Sequence, residues 1–177
     1  MIIRDVGESI TGMFGVQSGP VQNIQNMIQN FHKTRPPDAK MLWIAHSQGA
    51  MHLHNALATL QSDEQKRCIV LGIAPAKIIT NKISFRAKSY MSMRDIVPLF
   101  DLSGKEGQRG LQLISHTDDP FDLEAQRAFA ESSPFLYLEI LSPHRDAPIF
   151  DHSFVSPTFQ STLQKLIENY IKTEEQR

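Results

Sequence analysis

The sequence predicts an α/β fold: a mainly parallel sheet with helices on both faces. Two short apolar runs, "MLWIAH" (41–46) and "RCIVLGIAPA" (67–76), lack polar alternation, which suits strands covered on both sides. Stretches with apolar residues at helical spacing stand before, between and after such runs. Strands that alternate with helices pair in parallel through helical crossovers. At 177 residues the chain is long enough for one sizeable core. We read a single domain, 1–177, with a helix-containing segment at 1–40 and a core at 41–177.

Each element has its own signal. Residues 1–17 are mixed and give no clear pattern. "SGPVQNIQNMIQNFHK" (18–33) predicts a helix with Pro20 in its first turn and Val21, Ile24, Met27, Ile28 and Phe31 on one face. "RPPDAK" (35–40) ends it, and "MLWIAH" follows as a buried strand. Ala50, Leu53, Ala56, Leu57 and Leu60 recur at helical spacing directly afterwards. The second apolar run is closed by Pro75. "SFRAKSYMSM" (84–93) alternates and predicts a third strand nearer the edge. "DLSGKEGQRG" (101–110) predicts a flexible, lid-like loop, "LQLIS" (111–115) a short strand or inserted piece, and "DDPFDLEAQRAFAESS" (118–133) a short helix. "PFLYLEILS" (134–142) predicts the next strand. A final helix starts near Ser156-Pro157 and carries Phe159, Leu163, Leu166, Ile167 and Tyr170 on one face.

Composition excludes several function classes. Net charge is −1 with neutral histidines and no Lys/Arg-rich run exists, so nucleic acid and anionic membranes are not expected partners. No stretch of about 18 apolar residues predicts a spanning helix. The first residues lack the basic and apolar regions of a signal peptide. Cys68, the sole cysteine, begins an apolar run and reads as a buried thiol. A reducing, cytoplasmic setting follows as the expectation. No cofactor is implied.

The centre of interest is Ser47, between the first strand and the helix after it. A nucleophile elbow places serine at a sharp, strained strand-to-helix turn, with small residues two positions before and after it. Here these are Ala45 and Gly49, in "AHSQG" where the usual pattern is G-x-S-x-G. The start of the following helix points backbone N–H groups at the site, so the N–H of Gln48 is an expected oxyanion donor. The competing reading is that Ser47 only caps the helix.

In these residues the chain resembles the α/β-hydrolase superfamily, in its lipase and esterase branches. "AHSQGA" is similar to the "GHSQGG" run of many lipases, and the family's chain order is Ser, then Asp or Glu, then His. "SYMSMRDIVPLFD" resembles the end of the acid-bearing strand and supplies Asp95. "DAPIFDHSFVSPTF" resembles the histidine loop before the last helix and supplies His152. The resemblance runs from Met41 to the C-terminus and implies the C-terminal part of an α/β-hydrolase fold. It implies Ser47 as nucleophile, His152 as base and Asp95 as orienting acid, acting on a small-molecule or lipid ester. "HSQGAMHLHNAL", "DIVP" and the late "DH" also resemble a chlamydial protein family with lipase-like elements.

Rival residues have blander readings. Asp101 lies towards a mobile loop, and Asp151 is expected to face solvent. His144, directly after "LEILSP", is the alternative base. His46 is expected to pack or reach solvent rather than react. His52 and His54 are two apart, so a helix would point them in different directions. "HTDDPFD" (His116, Asp118, Asp119, Asp122) has metal-ligand residue types, but Asp-Pro at a helix start explains it more cheaply, and no metal is expected. "SGKEGQRG" does not match a phosphate-binding loop. Met91 and Met93 are expected in the core.

One feature departs from the family. Several strands precede the nucleophile strand in its members, and the loop after one of them donates the second oxyanion N–H. Only 46 residues precede Ser47, with room for one strand at most. The sequence therefore predicts an N-terminally shortened member, or one completed by another chain. Either way the nucleophile strand becomes an exposed apolar edge, and self-association through it is expected. A non-catalytic interaction module is the alternative function.

Overall fold

A computed structural model describes residues 19–95, 97 and 138–175. Helix α1 (Gly19–Thr34) leads into strand β1 (Met41–Ser47), helix α2 (Gln48–Thr59) and a single turn, α3 (Ser62–Gln65). Strand β2 (Cys68–Pro75), strand β3 (Arg86–Ser92), strand β4 (Leu138–Leu141) and helix α4 (Pro157–Glu175) complete the described chain. The four strands form one sheet in the order β1-β2-β3-β4, and every pairing is parallel. The expected α/β class with parallel strands is what the chain adopts. The readings made for residues 1–17, 101–115 and 118–133 lie outside the described residues. So do Asp101 and the His116–Asp122 cluster.

Strand alternation divides the core into two layers. Val70 of β2 and Ala87 of β3 are register partners on one face and pack with Ala45, Ile28 of α1, and Ala50, Leu53 and Leu57 of α2. Ile73 and Tyr90, partners on the opposite face, pack with Phe159 and Leu163 of α4. Helices therefore cover both faces: α1 and α2 one, α4 the other. The residues expected to form the inner face of α2 are all buried. In α1, Val21 and Ile28 are buried but Met27 is exposed, so its buried stripe is narrower than the sequence suggested. Met91 is buried and Met93 half-buried.

Strand β3 is not at the edge. Arg86 and Lys88 suggested an outer position, but β3 lies between β2 and β4. Its two charged residues, Arg86 and Lys88, are tolerated because they fall in the N-terminal half. There Lys88 ion-pairs with Glu139 of β4 and lays its ammonium over the Tyr90 ring, while Ser89–Ser92 are buried. Among the described residues two strands have a single neighbour: β1, which pairs with β2, and β4, which pairs with β3.

Arg67 ties the helical layer to the sheet. Although 5% exposed, it has no carboxylate partner among the described residues; its guanidinium donates to the carbonyls of Ala39, His32, Arg35 and Pro36 and lies over Phe31. Those oxygens include the end of α1, where helical carbonyls lack internal partners and a cation is favourable. This clamp fixes the entry to β1, since the Met41 N–H also bonds to the Arg67 carbonyl at 2.8 Å.

Candidate active site

Ser47 ends β1 and immediately precedes α2. Its backbone angles are φ 49° and ψ −125°, outside the regions that a non-glycine residue ordinarily occupies. Such a conformation costs roughly 1–3 kcal/mol and persists only where its surroundings impose it. Those surroundings are visible. The register slips between His46 and Ser47, so that Ala74 of β2 is the extra residue, itself at φ 46°. The Ala76 N–H then bonds to the Ser47 carbonyl at 3.1 Å and holds the corner.

The row beneath the elbow is built from small residues. Ala45, Gly72 and Ser89 are partners across three strands on the face that α2 covers. A side chain at Gly72 would place its Cβ 2.7 Å from Ser89 Oγ. The sequence signal for Gly72 is a glycine inside an apolar run, which marks such a close approach. Among the described residues nothing crowds Gly49. A Cβ there would meet no heavy atom within 4 Å, whereas Ala45 is 7% exposed. Gly49 is exposed at the start of α2, beside a strand with a neighbour on one side only among the described residues.

Ser47 does not act as a helix cap, because its side chain makes no capping bond. Its Oγ lies 2.8 Å from His152 Nε2. His152 Nδ1 lies 3.0 Å from both carboxylate oxygens of Asp95. An ionised carboxylate only accepts, so Nδ1 carries the proton and Nε2 is the lone-pair nitrogen facing the serine hydroxyl. Asp95 follows β3 in a turn closed by its own N–H on the Ser92 carbonyl, and it also accepts the Val97 N–H at 3.0 Å. Its side chain is 1% exposed while that of His152 is 28% exposed. The three residues thus run from a buried acid to an accessible hydroxyl, 105 and 57 residues apart in sequence.

The loop that carries His152 is anchored on three sides. The Arg94 guanidinium donates to the Ala147 carbonyl at 3.2 Å. His46 Nε2 lies 2.7 Å from the His152 carbonyl, and the two rings are 5.0 Å apart. Asp151 does not face solvent as the sequence suggested. It is fully buried and accepts the Thr158 hydroxyl, while Thr158 Oγ1 accepts the His144 N–H. Its partner Thr158 lies in the first turn of α4. His144 is half exposed, and its ring meets Asp146, not Ser47. His46 packs, as expected, against His152 and Phe154.

Cys68 is no rival nucleophile. Burial pushes its thiol up to about 11, and its sulfur sits 3.6 Å from the Glu64 carbonyl. Among the described residues no cluster of three or more His, Cys, Asp or Glu is placed to hold a metal. No helix among them is long and apolar enough to cross a membrane. A search of protein-family models, curated proteins and solved structures returns no match to this chain.

Chemically, an imidazole placed this way can remove the proton of the serine hydroxyl as that oxygen attacks a carbonyl carbon. The Gln48 N–H, first in α2, is among the N-terminal donors for which a helix offers no internal acceptor. It follows Ser47 directly in the chain, at a helix end that favours negative charge.

Proposed function

We propose that the protein is a serine hydrolase of esterase or lipase type, cleaving an ester or acyl bond, with its described residues forming the C-terminal part of an α/β-hydrolase fold. The observation that carries this reading is a serine in a strained strand-to-helix turn with its hydroxyl 2.8 Å from an imidazole whose other nitrogen is held by a buried carboxylate. Ser47 attacks the acyl carbon, and its proton passes to His152 Nε2. The imidazolium is stabilised by Asp95, and the oxyanion takes the Gln48 N–H. His152 returns the proton to the leaving alcohol, and water repeats the cycle on the acyl-enzyme.

The apolar edge at β1 supports a second feature of the reading, self-association. Among the described residues this strand has one neighbour, and Ile44 is 39% exposed. A tetrahedral oxyanion held by one donor loses roughly 10²–10³ in rate against a complete hole. The non-catalytic alternative, an interaction module, rests on this same edge.

p-Nitrophenyl acetate and butyrate test the proposal. Wild-type protein should release p-nitrophenol slowly but in proportion to enzyme, and Ser47→Ala should reduce the rate to that of buffer. Equal rates for both proteins would refute hydrolysis at this site and favour the interaction module.

A further inference from the structure

Resting on the reading of Ser47 and His152 as nucleophile and base, we propose that His46 is a positioning residue that fixes the base relative to the nucleophile. The two neighbours His46 and Ser47, at the end of one strand, engage the same residue at two atoms. Ser47 Oγ meets Nε2 of the His152 ring at 2.8 Å, and His46 Nε2 meets the His152 backbone oxygen at 2.7 Å. A carbonyl oxygen only accepts, so His46 is the donor and holds its proton on Nε2. The donor is mounted on β1, the element that also sets the position of Ser47. Any shift of the strand end therefore carries the nucleophile and the anchor of the base together.

The anchor matters because, apart from the buried Asp151, the residues around the base are exposed. Ile149 and Phe150 before it are 83% and 69% exposed, and Phe154 and Val155 after it are 39% and 69% exposed. The other two anchors hold other residues of the loop, Arg94 the carbonyl of Ala147 and Thr158 the side chain of Asp151, directly before the base. Among the described residues, His46 is the one that holds the backbone of residue 152 itself. Phe154 also meets the His46 ring edge-on, with ring centroids 5.7 Å apart.

Three variants separate donation from packing. His46→Phe keeps an aromatic ring and removes the donor. His46→Gln keeps an N–H at similar reach and removes the ring. His46→Ala removes both. A displacement of about 1 Å at a reacting group costs up to about 10²-fold. His46→Phe and His46→Ala are thus expected to lower kcat for p-nitrophenyl butyrate roughly 10- to 100-fold with KM within about twofold. His46→Gln should restore kcat to within about threefold of wild type. Equal losses in the Phe and Gln variants, or no loss in Phe, would overturn the proposal.

Nitrogen-15 NMR of the imidazoles decides it without turnover. Wild-type His46 should show the Nε2–H tautomer. The His152 Nδ1–H resonance should persist in His46→Gln and broaden or vanish in His46→Phe. A Nδ1–H tautomer at His46, or an unchanged His152 resonance in His46→Phe, would overturn the role. If the NMR results hold while no variant or wild type turns over ester, the hydrolase reading fails and the anchor stands.

Discussion

His152→Ala is expected to lower kcat/KM on activated esters by roughly four to six orders of magnitude, while His144→Ala stays within about threefold of wild type. The contrast follows from position. His152 faces Ser47 Oγ and Asp95 at hydrogen-bond distances, and no other described imidazole meets both. His144 pairs with Asp146 on the surface, and its backbone N–H, which binds Thr158, survives the substitution. Asp95→Asn should cost roughly 10⁴ although nearly isosteric, because an amide in that place no longer enforces the Nδ1–H tautomer or stabilises the imidazolium. Steady-state kinetics on the three variants, with circular dichroism to verify folding, check this. A large loss at His144 with little at His152 would move the base.

The second large effect is on stability. Thr158→Val is expected to destabilise the fold by about 3 kcal/mol, since it leaves the fully buried Asp151 carboxylate without the hydroxyl that it accepts. It also strands the His144 N–H, which Thr158 Oγ1 accepts at 3.0 Å. Thr158→Ser keeps both bonds and should fall within about 1 kcal/mol of wild type. Urea unfolding at neutral pH measures the difference. With slopes of about 1–3 kcal/mol per molar, the valine variant should unfold at roughly 1–3 M lower urea. Coincident curves for wild type and valine would show that Asp151 does not depend on Thr158.

The parts of the site that the sequence made legible are those with local signals. A continuous apolar run, a serine with small neighbours and an amphipathic stretch define the elbow within twenty residues, so Ser47 and α2 were readable. Asp95 and His152 came from resemblance and chain order rather than from any local pattern. The meeting of these two residues with Ser47 depends on parallel register across three strands, which periodicity does not encode. Asp151 was misplaced because a carboxylate next to an exposed histidine reads as surface; its partner, Thr158, lies across a turn whose path only the fold reveals. Strand β3 was put near the edge from the alternation of Arg86 and Lys88, yet Glu139 on the next strand neutralises that cue. Gly72 and Ala74 shape the corner from the neighbouring strand, where no motif points.

The central claim is that Ser47 is an activated nucleophile, and a fluorophosphonate tests it most directly because it reports the nucleophile even where ester turnover is slow. Intact mass after incubation should show one phosphonyl adduct per chain, peptide mapping should place it on Ser47, and Ser47→Ala and His152→Ala should remain unlabelled. A folded wild-type protein that takes up no adduct, or an adduct that persists in Ser47→Ala, would contradict the account.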